Sequence, residues 1–386
     1  MPSCLVLGCA NFYGRALIEL LCAQRDAAKD SWHIRGVDKV LPQLASFPRD
    51  VEALYATIDF RMGNLRNPTF LEQAFAEPPG ATTWDYVFNF APEHKFGLAA
   101  QAYDQDVRQM SGLVAQLARA RGAGVLVHLS SALVYGAHGN ARAAEDAALV
   151  DKSCELPLAR SHAAAEALVA QAAGDGLAAV VLRPALCYGP GDRQNAVPML
   201  IMAQLSRISG SPLPVLWGGD RRISTVHVSD VARAALAAAQ WRRTKGLVVF
   251  NVADEGDTTN AALARAVGAL FGVEPAFHGA AASFLARRLR SAAELAELAS
   301  ESLLGPWLEL LAEHGVANSP LTPYIDPEHP YCRLDAHPRG VDGARIAATP
   351  GLEFEYRRPR LAPAALRDMV AEFQAVGLWP AVPIPQ

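Results

Sequence analysis

The stretch Cys4-Leu5-Val6-Leu7-Gly8-Cys9-Ala10-Asn11-Phe12-Tyr13-Gly14 decides the fold. An apolar run too short for a helix ends at a glycine, and a second glycine opens a helical pattern over Tyr13–Gln24. A buried strand that turns tightly into a helix needs small residues here. One makes the turn, one lets backbone approach a pyrophosphate, and one lets helix pack on strand. Gly8 and Gly14 keep the outer roles. Asn11 stands at the middle one, where asparagine is expected because it tolerates a left-handed backbone better than other side chains. Nucleotide binding is then weakened or reshaped, not abolished. Glycines at strand-to-helix turns are also purely structural, so the weight falls on motifs further along the chain.

Outward from this turn, short apolar runs alternate with helical patterns: His33–Val37, Phe70–Phe75, Asp85–Phe90, a long helix near Ala99–Arg121, then Val125–Leu129. A helix over Pro157–Ala172, a strand at Ala178–Leu182 and a helix over Val197–Ile208 continue the rhythm. Such alternation predicts βαβ units, hence an α/β fold with a doubly wound parallel sheet. Past residue 210 the rhythm loosens. Strands at Pro214–Leu216 and Ser224–Val226, a helix over Asp230–Gln240 and a strand at Leu247–Asn251 suggest chain passing between two lobes. The expected division is a Rossmann-type nucleotide domain over 1–190, with 224–252 returning to it, and a smaller, mostly helical substrate lobe over 191–223 and 253–386. Residues Ala280–Val316, with Arg287, Arg288 and Arg290, read as one or two amphipathic helices of that lobe.

With 51% hydrophobic residues, 19% charged and a net charge of −4, the chain is globular and carries no basic footprint for nucleic acid. Its six cysteines lack CxxC spacing, which argues against zinc and against a disulfide framework. No apolar run is long enough to cross a bilayer, and no basic leader opens the sequence. A soluble, cytoplasmic protein with a small-molecule substrate is expected.

A series of downstream motifs carries a resemblance. Asp38 ends Gly36-Val37-Asp38-Lys39, and Gly63-Asn64-Leu65 and Asp85-Tyr86-Val87-Phe88-Asn89-Phe90-Ala91 come next. After them stand His128-Leu129-Ser130-Ser131-Ala132-Leu133-Val134-Tyr135-Gly136, Leu182-Arg183-Pro184, Tyr188-Gly189-Pro190-Gly191-Asp192 and Val226-His227-Val228-Ser229-Asp230. In order and spacing, from residue 4 to about 275, they resemble the extended short-chain dehydrogenase/reductases of the NAD-dependent epimerase/dehydratase type. The resemblance implies a nicotinamide dinucleotide held by Gly8, Asn11, Phe12, Tyr13, Gly14, Asp38, Asn64, Leu65, Phe90, Ala91, His162 and Pro184. Asp38 favours NAD, since a carboxylate accepts from the ribose hydroxyls and repels a 2′-phosphate, while Lys39 keeps NADP open.

In that family a serine works with a tyrosine, and a lysine four residues later holds the nicotinamide ribose. Ser131 matches the serine. Aligned on the tyrosine–lysine helix, Leu158-Ala159-Arg160-Ser161-His162 puts leucine for the tyrosine and histidine for the lysine. Ser131, His162 and Tyr135 are therefore the candidate catalytic groups, and His94, Tyr188 and Arg222 the candidate substrate contacts. Ile223 stands where nucleotide-sugar enzymes carry an arginine for the diphosphate, which points to a more apolar or polycyclic substrate.

Two principal readings stay open. One is an atypical NAD(P)-binding enzyme that performs redox or redox-assisted isomerisation with relocated acid/base groups. The other is a non-catalytic nucleotide sensor or scaffold; a cofactor-independent isomerase or cyclase is a third. A homodimer through Ala99–Arg121 and Pro157–Ala172 is implied by the relatives.

Overall fold

The computed structural model describes residues 2–28, 32–136, 140–241, 244–278, 303–324, 329 and 340–385. The sheet-forming half contains β1 (Ser3–Leu7), α1 (Phe12–Ala28), β2 (His33–Asp38), α2 (Arg49–Tyr55), β3 (Asp59–Met62), α3 (Pro68–Ala74) and β4 (Tyr86–Asn89). It continues through α4 (Ala100–Tyr103), α5 (Met110–Ala120), β5 (Val125–Leu129), α6 (Pro157–Gly174) and β6 (Ala178–Pro184). After β7 (Leu186–Tyr188), α7 (Val197–Ser209), β8 (Leu213–Leu216) and β9 (Thr225–His227), α8 (Val228–Trp241) and β10 (Gly246–Val252) return to the sheet. Then come α9 (Asn260–Phe271), β11 (Pro275–His278), α10 (Gly305–Glu313), α11 (Ala344–Ala348) and α12 (Pro363–Ala375).

Seven strands form one parallel sheet in the order β10-β6-β5-β4-β1-β2-β3. Every residue of β1, β4, β5 and β6 is buried, which is why these segments read as unbroken apolar runs rather than alternating ones. On one face Leu17, Ile18 and Leu21 of α1 meet the alanine-rich α8; on the other, Val114 and Ala118 of α5 meet Val169 and Ala173 of α6. Burying each large aliphatic side chain here contributes about 1.5–3 kcal/mol. Strand order reverses between β1 and β4, and crevices open beyond the carboxyl ends of the strands at such a point.

The first turn needs its glycines for packing. Gly8 sits at φ +79, and a Cβ there would lie 2.6 Å from the Ala91 backbone; a Cβ on Gly14 would lie 2.0 Å from the Gly8 carbonyl. A second apolar cluster gathers α7, α9, α10 and α12 around Trp307, Trp379, Phe271 and Phe373. It is tied back to the sheet by Arg15 of α1, whose guanidinium donates to both Glu372 oxygens at 2.8 and 2.6 Å.

Three expectations change in detail. The helix foreseen over Ala99–Arg121 contains a π-helical stretch, Asp104–Gln109, between α4 and α5. The strand expected at Ser224–Val226 is β9, which pairs with β7 in a separate two-stranded ribbon, so β10 makes the return to the sheet. Of the helical stretch expected over Ala280–Val316, residues 280–302, with Arg287, Arg288 and Arg290, lie outside the described residues.

Candidate functional site

At the carboxyl ends of β1, β2 and β4 runs a groove lined by Gly8, Asn11, Asp38, Lys39, Asn64, Leu65, Arg66, Ala91, Glu93 and Asp106. Its anchor is Asp38, whose carboxylate accepts from Ala10 N at 2.9 Å and Val40 N at 3.0 Å. Burial pushes that carboxyl up, and the two backbone donors oppose the push. Asn64 Oδ1 accepts from Arg66 N at 3.0 Å, fixing the loop after β3.

Asn11 does something the sequence reading did not foresee. Its backbone is not among the left-handed residues. Instead its Oδ1 accepts from Tyr13 N at 3.0 Å and Gly14 N at 2.9 Å, a helix cap, while its Nδ2 donates to the Phe90 carbonyl at 2.6 Å. Phe12 itself lines a second, larger cleft together with Arg15, Phe47, Tyr324 and Phe373.

Beside the groove, a pocket is lined by Tyr13, His94, Phe96, Ser131, Pro184, Cys187, Gln194 and Asn195. Tyr13 and His94 stand on its wall, and His162 lies behind His94, each neighbouring pair of rings tilted against the other. Tyr13 and His94 centroids are 4.9 Å apart, and His94 and His162 are 4.8 Å apart. His162 is fully buried and does not line the pocket. Its Nε2 lies 3.2 Å from the Glu93 carbonyl, which can only accept, so that nitrogen carries the proton and Nδ1 is left a buried lone pair with no partner among the described residues. Burial holds the His162 imidazole well below its ordinary range, and holds His94 at about 3, with neighbouring histidines adding to each effect. Both are neutral at pH 7. Gln194 Nε2 donates to the His94 carbonyl at 3.0 Å and fixes the loop that carries it.

The remaining candidates are placed elsewhere or given other work. Ser131 reaches the pocket, yet its Oγ accepts from Leu133 N at 3.2 Å and caps the turn Ala132–Val134. Tyr135 points away from the cleft. Its phenol donates to Asn251 and accepts from Arg183 at 2.8 Å, and the Arg183 guanidinium lies 4.9 Å from its ring centroid. Leu158 packs among Tyr103, Val107, Leu133 and Leu156. Tyr188 is 1% exposed against His227 and lines none of these cavities, and Arg222 is ion-paired with Asp257. Ile223 is wholly buried in the second cluster. Of the expected substrate contacts, only His94 lines the pocket. Sequence reading missed Arg193, which lines the same larger cleft and donates to the Ala45 carbonyl at 2.6 Å.

This architecture has relatives. A family model described as NAD dependent epimerase/dehydratase family matches residues 4–253, most of the chain. The chain belongs to that family. Among solved structures, it is similar to UDP-glucuronic acid 4-epimerase from Bacillus cereus, at TM-score 0.56 and 18% identity, over 72% of this chain and 87% of that one. It is similar to dTDP-glucose 4,6-dehydratase from Bacillus anthracis, at TM-score 0.59 and 20% identity, over 72% and 85%. UDP-glucose 4-epimerase from Thermus thermophilus is similar at 0.54 and 23%, again over 72% and 85%. All three were solved with NAD. No curated protein sequence matches the chain.

Family members bind NAD, and these residues fit that dinucleotide at one end. The adenosine end fits: Asp38, Asn64, Leu65 and Ala91 line one groove. At the other end His162 is fully buried with the His94 ring tilted against it, the two centroids 4.8 Å apart.

A buried acid at the rim of the cleft makes stability depend on pH. Asp192 is buried, accepts from Gln194 N, Asn195 N and Ala196 N, and is pushed by burial up to about 6. The folded chain thus holds this proton more tightly than the unfolded one. The stabilising contribution is present below pH 4 and lost as pH rises to 6, a change on the order of 3 kcal/mol. Denaturant midpoints measured from pH 4 to 7 are expected to show that loss in the wild type relative to Asp192→Asn, and parallel curves would refute it.

Proposed function

We propose that this chain binds an adenine nucleotide at the β1–β2 edge without running the tyrosine-driven hydride chemistry of its relatives, and acts as a nucleotide sensor or assembly subunit. The observation that supports this reading is the His94 ring tilted against the fully buried His162, centroids 4.8 Å apart, at the position where the family pattern has the lysine that holds the nicotinamide ribose. Relocated hydride chemistry would need a proton donor beside that ribose, and Tyr135, the expected phenol, is committed to Asn251 and Arg183. By the Asp38 argument, NAD is favoured over NADP among the dinucleotides.

The test is spectroscopic. The chain, supplied with NAD+ and with UDP-glucose, UDP-glucuronate or dTDP-glucose, is expected to give no reduced nicotinamide and no converted sugar. Leu158→Tyr with His162→Lys is expected to stay equally inactive, because restored identities do not move the His94 ring and catalysis depends on placement. Turnover by the wild type, or brisk turnover by the double variant, overturns the reading. One observation favours a second possibility, a cofactor-free isomerase or cyclase: Tyr13, His94 and Ser131 line one pocket. Activity lost in Tyr13→Phe and His94→Gln together would mark it.

A further inference from the structure

The groove's ligand can be narrowed from the residue that stands where a dinucleotide's diphosphate would pass. A helix amino terminus holds phosphate through its first free N–H groups. Here the first three belong to Phe12, Tyr13 and Gly14, and Asn11 Oδ1 already accepts from the second and third. Of these three, only the Phe12 N–H has no acceptor among the described residues. The carboxamide cannot simply rotate aside at no cost, because its Nδ2 is bonded to the Phe90 carbonyl at the end of β4.

Charge acts in the same direction. The groove is lined by three carboxylates, Asp38, Glu93 and Asp106, against Lys39 and Arg66, and Arg66 is ion-paired with Asp106 at 3.4 Å. A diphosphate adds negative charge where the lining is already acidic and the helix donors are occupied. An adenosine without it keeps the ribose diol, which the Asp38 carboxylate can accept from, and forgoes only the single free Phe12 N–H.

From this we infer that Asn11 is a specificity-determining residue that turns the groove from dinucleotides toward adenosine-type nucleosides with no diphosphate at the 5′ position. The inference rests on the nucleotide-binding reading above and refines its ligand.

Calorimetric titration of the full-length chain with adenosine, ADP and NAD+ tests it. Adenosine is expected to bind at least as tightly as either diphosphate. Asn11→Gly frees two N–H groups and is expected to tighten ADP about tenfold while moving adenosine by less than about threefold; glycine is itself an acceptable cap, so the fold survives. Asn11→Asp keeps the cap, adds a charge, and is expected to weaken ADP about fivefold or more with adenosine unchanged. An unchanged ratio of ADP to adenosine affinity in Asn11→Gly, or wild-type NAD+ binding tenfold tighter than adenosine, overturns the inference and leaves nucleotide binding standing. If no adenine compound binds any of the three proteins, the nucleotide-binding reading falls with it.

Discussion

Glu166→Ala is expected to lower stability by about 3–5 kcal/mol, the cost of leaving a buried charge without its counter-charge. Glu166 and Arg183 are both almost fully buried, 5% and 4% exposed. The guanidinium reaches both carboxylate oxygens, with contacts of 3.0, 3.2 and 2.6 Å, and Ser130 Oγ donates to the same carboxylate at 2.5 Å. Arg183 also holds the Tyr135 phenol and the Glu145 carbonyl. Removing the acid strands a cation among α6, β6 and the loop after β5. Urea midpoints for wild type and variant measure the effect; a loss below about 1 kcal/mol would show the site open to water. Tyr135→Phe, by contrast, removes one member of a network whose other bonds persist, and about 1 kcal/mol is expected.

Gly14→Ala is expected to cost at least the roughly 3 kcal/mol at the upper end of ordinary overpacking, because the obstacle is backbone. The added methyl would lie 2.0 Å from the Gly8 carbonyl and 2.8 Å from Cys9 Cα, atoms held by the hydrogen bonds of Gly8 N and Cys9 N to the Val37 carbonyl. Thermal denaturation reads it out, and a variant melting near the wild type would refute the tight packing. This glycine is demanded by the fold whether or not anything binds. The glycine spacing therefore identified the architecture and was weak evidence for a cofactor.

That distinction explains what the sequence could and could not reveal. The buried strands were legible because a parallel sheet covered on both faces selects unbroken apolar runs such as Ala178–Leu182. Asp38 and Ala91 lie at or just past the ends of the buried strands β2 and β4, Asn64 follows the half-exposed β3, and the three line one groove. Tyr135 was misplaced because its direction is set by Asn251 and Arg183, distant in the chain and invisible to local pattern. His94 lies on a loop whose course is fixed by Gln194, again from far away. Asn11 was read for its backbone when its side chain mattered. The signal for the cap was present: asparagine immediately before the first residue of a helix is among the strongest capping preferences.

The Arg15–Glu372 pair has a consequence for the newborn chain. Arg15 belongs to the first helix and its bidentate acceptor to the last, 357 residues later. At ribosomal speeds of about 5–20 residues per second, roughly 20–70 s pass between their synthesis. Throughout that interval the face of α1 beside Phe47 holds a guanidinium whose other carboxylate contact among the described residues is Glu19, one turn along the same helix. Emergence of α12 is the event that gives this guanidinium its bidentate partner and adds Glu372 and Phe373 to the lining of the cleft.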